Sequence, residues 1–199
     1  MTIQYEIGDS LYLNITNKCP CNCEFCIRKN GDNAYGSEPL WLEHEPSLEE
    51  IYEALDKVNL NKYKEIVFCG FGEPLERLDT LTEVCKYLRK RNSPPIRVNT
   101  NGLSDLINEK PTAHLLENLV DIISISLNAG TEQEYLRVTN PKFKQNAFKA
   151  VQDFAVDCKA YIPKVIFTVV DVIPTSEINL AQKIADKLQI PLRVRKYDC

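Results

Sequence analysis

Four of the chain's eight cysteines crowd into one short segment: Cys19, Cys21, Cys23 and Cys26. Three of them are spaced Cys19-x3-Cys23-x2-Cys26, with Phe25 just before the last, directly after the apolar run from Leu11 to Ile15. Thiolates this close cannot easily cross-link to one another, but they can converge on one soft metal centre. An iron–sulfur cube has four irons, so three cysteines leave one iron without a protein ligand, much as catalytic zinc sites keep a position open. An open corner separates a catalytic cluster from an electron wire. A structural zinc would ordinarily pair two short knuckles a dozen or more residues apart, and no second knuckle follows. Cys69, Cys85, Cys158 and Cys199 are scattered through apolar patterns and read as ordinary buried thiols, not staple partners. Cys21, outside the spacing, is the bystander.

The whole chain bounds what surrounds that segment. Its 199 residues read as one domain, 1–199, able to bury about 70% of the unfolded surface. A net charge of -4 supplies no basic field, which argues against nucleic acid as a non-specific partner. No stretch is apolar enough to span a bilayer, and the N-terminus lacks a basic-then-apolar leader, so no membrane partner is expected. Clustered thiols then point to a reducing cytoplasm, where they serve metals or catalysis rather than disulfides.

The elements that must position the cysteines follow from periodicity. Strands are expected over 11–16, 65–69, 96–99, 122–127, 164–172 and 191–196. Helical periodicity fills the gaps, over 80–91, 113–119, 131–137, 144–159 and 176–188, and an earlier helix opens at Ser47 with Glu50 completing a capping box. Alternating strands and helices predict an α/β fold with a parallel sheet, a partial (β/α)6 version of the eight-fold TIM-type barrel.

In such folds chemistry gathers at the carboxyl ends of the strands. The cysteines follow the first strand, Gly70-Phe71-Gly72-Glu73-Pro74 the second and Asn99-Thr100-Asn101-Gly102 the third. Ser124, Ser126 and Asn128 end the fourth, Thr168 and Val170 the fifth, Arg193, Arg195 and Tyr197 the sixth. Taken singly, the glycine and asparagine segments are good turn chemistry. Together they fall on one face.

At these residues the chain resembles the radical S-adenosylmethionine (radical SAM) enzymes. Gly70-Phe71-Gly72-Glu73-Pro74 is similar to that family's Gly-Gly-Glu-Pro element, with Phe71 in place of the first glycine. More narrowly, Asn14-Ile15-Thr16-Asn17-Lys18-Cys19-Pro20, Asn99-Thr100-Asn101-Gly102-Leu103 and Val169-Val170-Asp171-Val172-Ile173-Pro174 resemble the small radical SAM proteins associated with TatD-family nucleases. The resemblance implies a [4Fe-4S] cluster on Cys19, Cys23 and Cys26, with the open iron chelated by S-adenosylmethionine. It implies SAM contacts from Gly72, Glu73 and Pro74 to the amine, and from Thr100, Asn101, Ser126 and Asn128 along one wall. Arg195 would clamp the carboxylate; Phe25 and the backbone around Val170 would meet the adenine. A one-electron reductant such as flavodoxin or ferredoxin, a small-molecule or peptide substrate, and a link to a TatD-family nuclease complete what it implies. The reaction class is reductive cleavage of SAM to a 5′-deoxyadenosyl radical that abstracts hydrogen from substrate.

Two readings compete with this one: an activase that installs a glycyl radical on a partner enzyme, and a non-catalytic iron–sulfur or zinc module. His44 and His114 have no other ligand type near them in sequence and read as surface or capping residues. Trp41 and Leu42 lie in a long segment over 27–46, a length that favours a partial lid. The sequence ends at Cys199, which is expected at the barrel mouth, with no accessory cysteine-rich domain after it.

Overall fold

The computed structural model describes residues 1–197. One seven-stranded sheet runs in chain order: β1 (Gln4–Ile7), β2 (Ser10–Leu13), β3 (Glu65–Phe68), β4 (Ile96–Thr100), β5 (Ile122–Ser126), β6 (Lys164–Val170) and β7 (Leu192–Arg195). β1 and β2 form an antiparallel hairpin, and every later pairing is parallel. Six parallel strands with intervening helices make the partial barrel that the periodicity predicts.

Each strand alternates. Leu11, Leu13, Ile66, Phe68, Ile96, Val98, Ile123, Ile125, Phe167 and Val169 are buried on the outward face, where they join one core with the helices. That core receives Ile51 and Leu55 of α1 (Leu48–Asp56), five residues of α2 (Leu78–Lys90), Tyr135 of α4 (Glu132–Thr139) and Phe154 of α5 (Asn146–Cys158). α6 (Thr175–Leu188) closes the last crossover with Ala181 and Ala185 against the sheet. α1 begins as its capping box requires: Glu50 N donates to Ser47 Oγ at 3.2 Å, and Ser47 N donates to Glu50 Oε2 at 2.8 Å.

Two expectations need correction. The helix over 113–119 is only a 3-10 turn, Ala113–Leu116, preceded by a short α3 (Ser104–Asn108). Local polar bonds win here: Thr112 Oγ1 donates to Ser104 Oγ at 2.7 Å and Thr112 N to Asp105 Oδ1 at 2.9 Å, folding the chain back at Pro111. Strand β1 was not expected, because four residues beside a two-residue turn carry too little pattern to read alone. Among the described residues no helix is long and apolar enough to cross a membrane.

Candidate active site

A cavity of about 550 Å³ opens at the carboxyl ends of the parallel strands, within the range of small-molecule sites. Cys19, Cys23 and Cys26 line it together, each partly exposed. Their loop is fastened from across the barrel: Asn22 N donates to Thr139 O at 3.0 Å, Glu24 N to Val138 O at 2.8 Å, and Lys142 N to Pro20 O at 2.8 Å. The C-terminal end of α4 therefore sets the height of the cysteines.

The glycine loop after β3 packs against the cysteine loop from the other side. A Cβ on Gly72 would stand 2.3 Å from Thr16 O and 2.6 Å from Lys18 O, both backbone atoms. Only glycine permits that approach. Glu73 N, next in line, donates to Lys18 O at 2.7 Å. A Cβ on Gly70 would likewise collide with the side chain of Asn14, whose amide donates to Leu40 O at 2.7 Å. Asn17 and Leu42 exchange two hydrogen bonds, of 2.7 and 3.1 Å. These bonds strap the segment over 27–46 beside the cavity, which Ile27, Ala34, Tyr35 and Leu40 help to line. Leu42 is buried, whereas Trp41 is 41% exposed and meets Phe71 edge-on at 5.0 Å.

The predicted site residues divide. Phe25, Asn101, Ser126, Asn128, Val170 and Arg195 all line the cavity with the three cysteines. Gly72, Glu73, Pro74 and Thr100 do not. Alternation explains Thr100: Arg97, Asn99 and Asn101 face inward, so Thr100 points toward the helices. There its hydroxyl donates to Glu73 Oε1 at 2.8 Å. Glu73 also receives Leu75 N at 3.1 Å and Asn101 N at 2.6 Å, and is 3% exposed. It caps the 3-10 turn Pro74–Arg77 that leads into α2, and so ties two strand-end loops together from behind the wall. Burial, with the nearby Cys19 thiolate adding to it, pushes the Glu73 carboxyl up to about 8 despite those three donors.

The thiols are unequal. A hydrogen bond from the Cys21 thiol, first among several causes, draws Cys19 down to about 7, and the same neighbour lowers Cys23. Burial raises Cys26. Arg28 favours the thiolate at all three, and its Nη2 donates to Cys21 O at 3.0 Å. Cys21 itself is pushed up by holding its proton for both neighbours and is 5% exposed.

Several lining residues escaped the sequence reading or were misplaced by it. Cys69 lines the cavity instead of resting in the apolar core that holds Cys85 and Cys158. Arg97, Tyr5 and Tyr12 line it as well. The period-two run Arg97-x-Asn99-x-Asn101 was the available signal for the first of these. Tyr197 reaches over the mouth, its hydroxyl accepting from Asn30 Nδ2 at 2.9 Å. His44 bonds Glu50 at the start of α1, and His114 lies on the surface near Tyr161. Cys199 lies outside the described residues.

Among the described residues no three His, Cys, Asp or Glu side chains converge closely enough to share one metal ion. A cuboidal cluster asks for something else: each thiolate goes to a different iron, so the sulfurs ring a space instead of meeting at a point. Three partly exposed cysteines around one cavity, two of them favoured as thiolates, fit that demand. Fold and thiols define a class, a partial α/β barrel with a three-cysteine centre at its mouth.

Comparison with known proteins makes the class specific. Residues 13–183 match the family model of the radical SAM superfamily, and the chain belongs to that superfamily. It is 24% identical over 165 residues to the GTP 3',8-cyclase of Lactiplantibacillus plantarum, covering 83% of this chain and 46% of that protein. It is 26% identical over 192 residues to the dual-specificity RNA methyltransferase RlmN of Nautilia profundicola, covering 88% of this chain and 50% of that one. The chain thus spans about half the length of the curated relatives it matches. Native anSMEcpe with bound AdoMet shares the fold at a TM-score of 0.63, with 18% identity over 94% of this chain and 50% of that chain. Membership implies a [4Fe-4S] cluster and S-adenosylmethionine.

Proposed function

We propose that the chain is a radical SAM enzyme whose cluster rests on Cys19, Cys23 and Cys26, with SAM along Phe25, Asn101, Ser126, Asn128, Val170 and Arg195. The observation that carries this reading is that all nine residues line one cavity at the strand ends. Cys19, Cys23 and Cys26 would hold the cluster, which when bound and reduced would supply the electron for reductive cleavage of SAM and hydrogen abstraction from substrate. The protein's part is placement. Asn101 Nδ2 lies 4.0 Å from Cys19 Sγ and steers that thiolate. Asn128, held with φ 59° by its N–H bond to Thr168 O, presents its amide to the cavity. Arg195 offers a planar fork to the SAM carboxylate. Gly72, Glu73, Pro74 and Thr100 act through the loops they lock, so Glu73 is a positioning residue.

The substrate is a small molecule or peptide, and the physiological reductant a flavodoxin or ferredoxin. A cytoplasmic location and a functional link to a TatD-family nuclease belong to the same proposal, on the likeness of the loop sequences.

The test is anaerobic reconstitution with iron and sulfide, then addition of SAM and dithionite, with 5′-deoxyadenosine counted against Cys23→Ala. Four irons per chain and cleavage that vanishes in the variant are expected. An intact cluster that neither binds nor cleaves SAM would sink the enzyme reading in favour of a binding module.

A further inference from the structure

Among the described residues the cavity is lined by four cations, Arg97, Arg193, Arg195 and Lys196, and by no aspartate or glutamate. That is unexpected in a chain of net charge -4. The SAM carboxylate accounts for one guanidinium fork, that of Arg195. Arg97 and Arg193 remain.

Arg97 is the more telling. It is only 9% exposed, yet faces inward from β4. Its Nη2 donates to Glu65 Oε1 at 2.7 Å and to the Tyr12 hydroxyl at 3.4 Å. Its Nε is buried with no acceptor among the described residues. A buried N–H without a partner is destabilising, and charge raises that cost. Glu65 cannot neutralise the group: it is one carboxylate, shared with Ser10 Oγ at 3.0 Å, against three arginines. Arg193 stands close enough to feel Arg97, Arg195 and Glu65, and burial together with the two cations lowers its affinity for its own proton. The carbonyl oxygen of the Asn99 side chain, on the inward row with Arg97, is also buried and unpartnered.

The two ends of the cavity are distinct. Asn101, four residues beyond Arg97 on the same inward row, lies beside Cys19. At ~3.3 Å per residue that puts the Arg97 backbone about 13 Å from the thiol end.

We propose that Arg97 and Arg193 form a second subsite, remote from the cysteines, that binds an anionic group of the substrate, a carboxylate or a phosphate. Guanidinium forks match both oxyanions bidentately, and the partly desolvated setting strengthens the pairing. Asn99 offers an acceptor beside it for a hydroxyl or amine on the same molecule. The inference deepens the radical SAM reading by naming the substrate class, but anion binding itself does not need the cluster to react.

Calorimetry on the reconstituted protein with saturating SAM tests it, using pyrophosphate and glutarate as probes at constant ionic strength. At least one probe is expected to bind saturably, and which one separates phosphate from carboxylate recognition. Binding should weaken at least tenfold in Arg193→Gln, with SAM affinity and cluster absorbance unchanged. Arg97→Gln alone strands Glu65, so it is paired with Glu65→Gln, and the double variant should weaken binding to the same degree. Lys86→Gln, a surface control, should leave it unaltered. No saturable binding of either probe, displacement of the probe by SAM, or equal weakening by Lys86→Gln would overturn the proposal. A preparation that holds no cluster or SAM argues against the enzyme reading instead, and its anion titration still decides this one.

Discussion

On its outward face the sheet presents Leu13, Phe68, Val98, Ile125 and Phe167 to the helices; on its inward face the same strands present Tyr12, Cys69, Asn99, Ser126 and Thr168. In a closed eight-stranded barrel the interior is itself packed with branched apolar side chains. Here it is hollow and carries Arg97, Asn99, Ser126, Arg193 and Arg195 among its lining, and the buried atoms without partners among the described residues include Arg97 Nε and Asn99 Oδ1. The outward face is finished by the protein's own helices. The inward face is finished only by something that binds. Stability is invested in one side of each strand and function in the other, at a spacing of one residue.

The largest expected effect tests that division directly. Phe167 is fully buried outward and Thr168, its neighbour, is 3% exposed inward. Phe167→Ala should cost about 3–5 kcal/mol in urea denaturation. Thr168→Val should cost no more than about 1 kcal/mol, because no hydrogen bond from the hydroxyl to another described residue is lost. Equal losses would show that the interior is a second core and dissolve the contrast.

Arg97 marks where the inner face does carry structure. Arg97→Met strands the Glu65 carboxylate at the 2.7 Å pair, whose side chains are 11% and 23% exposed. Breaking a fully buried pair costs about 3–5 kcal/mol, and partial exposure brings the expectation here to about 2. Adding Glu65→Gln should recover most of it. A double variant as unstable as the single would mean that Arg97 acts through packing and not charge.

Next comes the junction of the two loops. Gly72→Ala drives a methyl into the backbone of Thr16 and Lys18. The expected cost is about 1–3 kcal/mol, together with poor iron loading of the cysteine loop it displaces. Full iron content in a destabilised variant would separate the glycine's structural role from the site.

The sequence made the outward face easy to read and the inward face hard. Strands β2 to β7 were legible because Leu, Ile, Val and Phe recur with the sheet's own period, and the cysteines because their spacing is chemically specific. Glu73 misled because the motif fixes its position in the chain but not its direction: the capped turn Pro74–Arg77 aims the carboxylate at Thr100 and Asn101, away from the cavity. Cys69 misled in the opposite sense, since a thiol at a strand end looks alike on either face until the register is known. A lone arginine between Ile96 and Val98 looks like a solvated strand position, and only the curvature of the partial barrel makes Arg97 interior.

Glu73 also gives the comparison a pH dependence. A carboxyl whose folded value is raised from 4.5 to about 8 favours the fold when protonated. Its contribution is complete below its unfolded value and is lost as pH rises through about 8. The urea midpoint of the wild type should therefore fall over that interval, and Glu73→Gln should flatten the decline. A slope that survives the substitution would assign it to other groups, the cysteine thiols first.

The smallest effect is the most informative about why the inner face is built as it is. Arg193 lies on the outer edge strand, exposed on one side and facing Arg97 and Arg195 on the other, and it makes no ion pair among the described residues. Arg193→Gln is expected to change stability by no more than about 0.5 kcal/mol, with the sign toward stabilisation because a repelling cation is removed. The same change at Arg97 is expected to destabilise. A residue that the fold would do as well without, standing in a cavity already rich in its own charge, is suited to bind what enters the cavity. A loss of more than about 1 kcal/mol at Arg193 would place it among the structural residues and remove the functional meaning of its position.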